Sequence, residues 1–417
     1  MAMDQATETV DTLALALAPD AARARDTPVQ CAAPARLGLG IVSSRAGFHA
    51  LEAEWTSLFE RAGQPQQVFL QYNWLWHWLE HFFAEGQVAD RSLLIITGRI
   101  AGRLSLVLPL LHERRLGVGC IGWMGDPVSQ YGDVLMEDGP EADRLLELAL
   151  DHIRLLGADL LHLRKVRADS RLAPMLQKRG AQITDCLEAP CLDLCNAPDY
   201  ASYERRYDSR ERKNRRRQRR RLAEQGVLSS ERHREDPGHG QAVAGLIAMK
   251  QAQLRSRGKL SRAYSNDGFA RFMTAVATAA ERPVGFRLAQ LKLDGSTVAG
   301  SISFVAKGHC AAHVTVYDPA FERCGPGSLL LEDSLKASML EGVSTYDLLA
   351  PGAAYKRGWA DRSVAVCDYA MPLTARGRLY QAGYISFVYR GTRQIAERLP
   401  PPLGRLAMLL ASLIPVA

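Results

Sequence analysis

CAAHVTVYDPAFERCGPGSLLLEDSLKASM, residues 310–339, is the stretch on which the fold turns. It reads as a β-strand over Ala311 to Tyr317, a loop through Cys324-Gly325-Pro326-Gly327, and an amphipathic helix starting near Ser328. A glycine-bearing loop at a helix N-terminus exposes backbone N–H groups and the positive end of the helix dipole, which suits a pyrophosphate. The loop has neither the lysine nor the spacing of a Walker A motif, and its G-x-G is too short for the dinucleotide fingerprint. Taken alone, a Gly-Pro-Gly turn before a helix also fits a plain turn, so the flanking sequence has to decide.

Working outward, the chain carries an internal repeat. SLLIITG followed by Ile100-Ala101-Gly102-Arg103-Leu104-Ser105-Leu106 is echoed by LAQLKLDG followed by Val298-Ala299-Gly300-Ser301-Ile302-Ser303-Phe304. Asp126-Pro127 closes one apolar stretch and Asp318-Pro319 the other. Each is followed by a Leu-rich helix, a glycine and a strand, over Leu145–Leu163 and Leu329–Leu349. Matches in one order at similar offset predict two copies of one α/β unit. The boundaries expected are an unstructured extension over 1–36, a first unit over 37–197, a basic helix over 198–226 ending at Gly226, a second unit over 227–375, and a basic then apolar tail over 376–417. Helices are expected near Gln241 to Arg257 and Asn266 to Glu281. The aromatic run from Tyr72 to Phe83 could line a sugar site, but fits a buried helix face better.

The chain has 417 residues, 47% of them apolar and 23% charged, which excludes a wholly disordered or collagen-like protein. The net charge of +7 is local. Arg205 to Arg221 holds eleven Lys and Arg against Asp208 and Glu211, leaving the remainder slightly acidic. The acids Asp4, Glu8 and Asp11 argue against a secretory signal, and the largely apolar twelve-residue run Leu406 to Ala417 falls short of the roughly 20 residues that span a bilayer. A cytoplasmic protein is expected, at most peripheral to the inner membrane. Its eight cysteines are expected to be reduced thiols, and Cys186, Cys191 and Cys195 to be strand residues without a metal.

The whole arrangement resembles the GNAT acyltransferases, specifically the cellulose-biosynthesis (CelD/BcsL-like) type with a BioF2-like acetyltransferase domain. The residues that carry the likeness are Arg217 to Gly226, Leu291 to Gly300, Tyr317-Asp318-Pro319, Gly325-Pro326-Gly327, Tyr346 to Leu349 and Tyr355 to Trp359. It covers most of residues 40–375 and extends to the tandem GNAT-like domains of Fem peptidyltransferases. The usual R/Q-x-x-G-x-G/A loop stands here as Arg323-Cys324-Gly325-Pro326-Gly327-Ser328, shifted and stiffened by proline. The resemblance implies an α/β fold of two tandem GNAT-like units, each a mixed twisted sheet flanked by helices. It also implies acetyl-CoA or another acyl-CoA as co-substrate, held by Val314, Val316, Cys324, Gly325, Gly327 and Ser328, with no metal.

Transfer requires that the acceptor lose a proton while the thioester oxygen is stabilised. Asp347 could orient or deprotonate the acceptor, Tyr355 could protonate the departing thiolate, and Lys356 could hold an anionic group. Against these stand a strand-end cap, a packed tyrosine and a solvated lysine. His313 reads as a core histidine. The arginines of the basic helix fall on nearly every face, so the helix is expected to bury no stripe and to stay solvated or meet a polyanion. Arg215 and Arg219, with Trp359, are the expected acceptor-binding residues. The absence of aromatics between Tyr207 and Tyr264 argues against base stacking, so a lipid-linked sugar or anionic membrane surface is expected before nucleic acid, with no specific DNA binding. The predicted function is acyl-CoA-dependent N- or O-acylation of a sugar or envelope precursor. The rivals are a Fem-like transferase using aminoacyl-tRNA and a non-catalytic polyanion-binding scaffold.

Overall fold

The computed structural model describes residues 36–83, 90–258 and 261–389. Residues 1–35 of the expected extension and 390–417 of the expected tail lie outside the described residues. In chain order the elements are β1 (Leu37–Val42), α1 (Arg45–Ala50), α2 (Glu52–Ala62), α3 (Tyr72–Phe82), β2 (Arg91–Ile100), β3 (Arg103–Arg115), β4 (Val118–Trp123), β5 (Leu135–Met136), α4 (Pro140–Ile153), β6 (Leu160–Arg167), α5 (Leu172–Lys178) and β7 (Gln182–Asp193). Then come α6 (Tyr200–Tyr203), α7 (Ser209–Ala223), β8 (Leu228–His233), α8 (Gly240–Ser256), α9 (Asp267–Thr278), β9 (Phe286–Leu293), β10 (Ser296–Ala306), β11 (His309–Tyr317), α10 (Pro326–Leu340), β12 (Thr345–Asp347), α11 (Ala354–Trp359), β13 (Arg362–Pro372) and α12 (Ala375–Tyr380).

The strands form one mixed sheet in the order β1-β2-β3-β4-β6-β13-β7-β12-β11-β10-β9-β8. Read from either edge, the order repeats: β1, β2, β3, β4 and β6 on one side correspond to β8, β9, β10, β11 and β12 on the other. The two central strands are exchanged. β13, the last strand of the second half, pairs antiparallel with β6, whereas β7, the last of the first half, pairs antiparallel with β12. The duplication is therefore built into one α/β fold, each half a mixed sheet flanked by helices.

Local chemistry explains the hairpins. Ala101-Gly102 joins β2 to β3 and Asp294-Gly295 joins β9 to β10, each pair at positive φ, as a tight hairpin turn requires. The literal repeat is thus displaced. Ala299-Gly300, which echoes Ala101-Gly102 in sequence, lies inside β10, and Gly300 is there because a Cβ would run into Leu246 of α8.

The core runs across both halves. Trp74 of α3 packs edge-on against Phe272 of α9 at 5.0 Å and Phe304 of β10 at 4.8 Å, and Trp74 and Trp78 are fully buried. The aromatic run of α3 is a helix face. At roughly 2–3 kcal/mol for each large apolar side chain removed from water, this seam binds the halves together.

One expectation fails here. Cys186 of β7 and Cys367 of β13 lie opposite each other and form a disulfide, so these two are not reduced thiols. They stand 181 residues apart, and only the strand exchange brings them together. Cys191 is a buried free thiol of β7, as its strand position predicts, whereas Cys195 is not a strand residue: it is an exposed free thiol in the 3-10 turn Leu194–Asn196 that follows β7.

Candidate active site

β11 pairs with β12 only from His309–Ala311 to Thr345–Asp347. Beyond Ala311 the two part, and β11 has an open edge. On its other side the register with β10 shifts between Ile302 and Ser303, leaving His313 as the extra residue of a β-bulge. Past the bulge, the Asp318 N–H bonds the Val298 carbonyl at 2.8 Å. That makes Ala299 and Tyr317 a non-hydrogen-bonded pair. By alternation Val314 and Val316 spend their backbone groups on β10, and Thr315 and Tyr317 turn theirs to the open edge. Both valine side chains are fully buried in the core. The edge is already half dressed: Lys250 Nζ of α8 donates to the Thr315 carbonyl at 2.7 Å and Gln253 Nε2 to that of Tyr317 at 3.5 Å.

The edge leads into the glycine loop. Asp318 Oδ1 accepts from the Ala320 N–H, and a short 3-10 turn over Pro319–Cys324 delivers Gly325 at φ +58° as the N-cap of α10. The helix starts at Pro326, two residues before Ser328. Proline suits the first helical position, whose N–H has no helical acceptor, and Gly327 is among the following first-turn donors with none. No acidic residue stands in that turn. A Cβ on Gly325 would come within 2.7 Å of the Gln218 side chain, and one on Gly327 within 3.3 Å of the Tyr317 ring. Cys324 is buried behind the loop, its sulfur 3.3 Å from Gln225 Nε2. The Gly325 N–H bonds the Glu322 carbonyl and the Ser328 N–H that of Gly325, both at 3.0 Å, so the free Gly327 N–H, the dipole end and the absence of a competing acid are what fit a pyrophosphate.

Beside the edge, Leu349 sits at φ +59°, a conformation costing an ordinary residue of order 1–3 kcal/mol. Two of the expected catalytic residues hold it there. Asp347 Oδ1 accepts from the Leu349 N–H at 2.7 Å, and Lys356 Nζ donates to the carbonyls of Leu348 at 2.7 Å and Leu349 at 2.9 Å. Asp347 is completely enclosed. Its Oδ2 accepts from Tyr131 Oη at 2.8 Å and Arg167 Nη1 at 3.0 Å, and His309 Nε2 lies 3.4 Å away. Burial pushes its carboxyl up, but His309, Arg167 and the Leu349 N–H outweigh it and hold it below the ordinary range. Burial lowers the Lys356 ammonium to about 8, with Lys250 acting in the same direction and Asp347 opposing it. Tyr355 is 55% exposed on the same short helix.

The basic segment departs from expectation. It breaks between α6 and α7, and α7 does bury a stripe. Arg215 and Leu222 face inward. The Arg215 guanidinium lies between the rings of Tyr207 at 4.7 Å and Trp359 at 4.5 Å. Arg219 makes a two-pronged ion pair with Asp333 of α10. An arginine scores as polar in any periodicity reading, yet its flat face packs on aromatics. These three expected acceptor-binding residues therefore dock α7 onto α10 and α11.

Lys250, Gln253 and Arg257 were missed by sequence reasoning. They recur at helical spacing as the polar stripe of α8, the one available signal. Arg257 Nη2 donates to Tyr317 Oη at 2.8 Å, which donates onward to Glu322.

Residues 209–357, from α7 through α11, match the family model described as an acetyltransferase (GNAT) domain. The chain thus carries a GNAT-type acetyltransferase domain and is an enzyme of the acyltransferase class. Among solved structures it is similar to FemX, at 13% identity and a TM-score of 0.53, over 80% of this chain and 98% of that one. It is also similar to a conserved protein of unknown function from Bacteroides thetaiotaomicron, at 10% identity and a TM-score of 0.50, over 79% and 99%. A further likeness, at 14% identity and a TM-score of 0.43 over 81% and 99%, is to a tandem GNAT protein from the clavulanic acid biosynthesis pathway. At such identities the likeness is one of fold. No curated protein matches the sequence. Among the described residues no helix is long and apolar enough to cross a membrane.

Proposed function

We propose that the protein is an acyl-CoA-dependent N- or O-acyltransferase, in the first instance an acetyltransferase, acting on a sugar or on an envelope or exopolysaccharide precursor at the cytoplasmic side of the inner membrane. The observation that carries this reading is the run from the open edge of β11 into left-handed Gly325 and the acid-free first turn of α10, all within the segment that matches the acetyltransferase family. An acyl-CoA supplies the activated acyl group as a thioester. Gly325, Gly327 and Ser328 are the residues that would hold its pyrophosphate, with Cys324 packed behind, and the Thr315 and Tyr317 N–H groups would hold the arm that leads from it. Tyr355, the exposed phenol nearby, is the proton donor to the departing thiolate. Asp347 and Lys356 act as positioning residues through the Leu349 turn, and Arg215, Arg219 and Trp359 brace the wall. The sugar acceptor is supported by the resemblance to the cellulose-biosynthesis type.

Calorimetric titration with acetyl-CoA and with CoA at two salt concentrations tests the reading. Saturable binding abolished by Gly327→Trp, with the circular dichroism spectrum unchanged, is the expected result. No binding at either salt overturns it.

A second reading has its own observation. Arg210, Lys213, Arg217, Arg220 and Arg221 are exposed on α7 and have no carboxylate partner among the described residues, whereas Arg216 and Arg219 do. This outward face favours a polyanion, whether an anionic membrane, a lipid-linked pyrophosphate or the tRNA of a Fem-like reaction. Binding that collapses with salt while CoA binding is absent would favour a scaffold or tRNA-dependent role.

A further inference from the structure

A cavity of about 550 Å³ opens at the end of β4. Its position corresponds to that of the acyl-transfer site at the end of β11. Arg91, Arg115, Arg164, Arg262 and Arg271 line it, with Glu113 and Asp126 the acidic residues in its wall. The ion pairs do not exhaust the guanidinium groups. Arg115 bonds Glu113, with Arg91 Nε 3.8 Å from the same carboxylate, Arg262 Nη2 donates to Asp126 at 3.1 Å, and Arg164 lies 3.8 Å from Asp126 and 3.3 Å from Asp368. Arg91 Nε, Arg115 Nε, Arg262 Nη1 and the wall residue His162 Nε2 are nonetheless buried without a hydrogen-bond partner. Arg271 is exposed at the rim and has no acidic partner among the described residues. A buried donor left unmade costs roughly 1–3 kcal/mol. Such a cluster is tolerable where a ligand supplies the acceptors. Trp123, Phe82 and Leu111 give the same cavity an apolar wall.

We infer that this cavity is a second binding site, built for the phosphate groups of a phosphorylated small molecule. Planar guanidinium forks match phosphate oxygens, and the several cations exceed what one carboxylate would neutralise. The volume lies within the range of small-molecule sites. Arg262 comes from the stretch after α8, five residues beyond Arg257, which meets Tyr317 at the other site. The cavity is therefore shared by both halves. Resting on the acyltransferase reading, it is where the phosphorylated end of the acceptor is held, apart from the acyl-CoA loop.

The test is titration of the full chain with inorganic pyrophosphate and with uridine diphosphate glucose, in the presence of saturating CoA. Wild type, Arg262→Gln and Arg271→Gln are compared. Saturable binding is expected, weakened on the order of tenfold by each substitution, as the loss of one charge-assisted contact predicts, with acetyl-CoA affinity unchanged in both variants. Tighter binding of the sugar nucleotide assigns the apolar wall to the rest of the ligand, and equal binding assigns a site for phosphate alone. No binding of either probe at low salt overturns the inference, as do equal affinities in all three proteins or competition between probe and CoA. Phosphate binding that responds to the arginines in a protein that ignores acetyl-CoA would leave this site standing and remove the acyl-CoA reading.

Discussion

The helices α4 and α10 occupy corresponding places in the two halves, and both begin with a positive-φ glycine followed by proline: Gly139-Pro140 and Gly325-Pro326. The next residues part company. α4 places Glu141 and Asp143 in its first turn, with Arg171 bound to Asp143, so the positive end of its dipole is occupied by its own side chains. α10 places Gly327 and Ser328 there and no acid. The same duplicated backbone thus yields one helix end occupied by its own acids and one left without any. A cradle depends on what its first turn leaves out.

That contrast can be broken by moving the acids. Gly327→Glu with Ser328→Asp, which puts two acids into the first turn of α10, is expected to weaken acetyl-CoA binding at least about a hundredfold, because charge-assisted contacts worth roughly 1.5–3 kcal/mol each give way to repulsion. Calorimetry reads the loss. An unchanged dissociation constant would take the pyrophosphate away from this loop.

The next comparison is between a buried and an exposed carboxylate. Asp347 joins Arg167 and Tyr131 of the first half to the Leu349 turn of the second, whereas Asp143 pairs with Arg171 in solvent. Asp347→Asn removes the enclosed charge that faces Arg167 Nη1, while Arg167 keeps its two-pronged pair with Asp169, and is expected to cost up to about 3–5 kcal/mol in chemical denaturation. Asp143→Asn should cost no more than about 1 kcal/mol. Equal costs would mean that Asp347 does not tie the halves together.

Lys356 sharpens the same point through pH. Its folded-state value of about 8 lies below that of the free side chain, so the ammonium that grips the Leu348 and Leu349 carbonyls is charged below that pH and lost above it. Turnover should therefore fall as pH rises through about 8. Lys356→Arg should move that limb upward, and Lys356→Met should lower the rate and flatten the limb. A limb that stays in place in both variants belongs to another group.

Much of this was legible in the sequence. The duplication, the strand Ala311 to Tyr317, the glycine loop and the helices α8 and α9 all follow from local pattern, because hydrophobic period and turn chemistry are local. What escaped was set by distant partners. The bulge at His313 shifts the alternation of β11 by one, which gives the open edge to Thr315 and Tyr317 in place of Val314 and Val316. The exchange of β7 and β13 makes a disulfide from cysteines that no spacing relates. Asp347 could be read either as an acid acting on the acceptor or as a strand-end cap, because its enclosure comes from Tyr131 and Arg167, some two hundred residues away.

The basic helix gives the smallest and most local contrast, between two faces of one element. Arg215 is held between two aromatic rings, whereas Arg217, Arg220 and Arg221 point outward. Arg215→Gln should cost about 1–3 kcal/mol, since two partly desolvated cation–π contacts worth roughly 0.5–2 kcal/mol each are lost. Replacing Arg217, Arg220 and Arg221 together with Gln should change stability by no more than about 0.5 kcal/mol per site and leave acetyl-CoA binding intact. If that triple variant still turns over a small soluble acceptor but fails on one embedded in anionic vesicles, the outward face delivers the acceptor and the inward face only holds the helix. If it also loses CoA binding, the two faces are not independent and α7 acts on the loop through Gln218, which stands directly over Gly325.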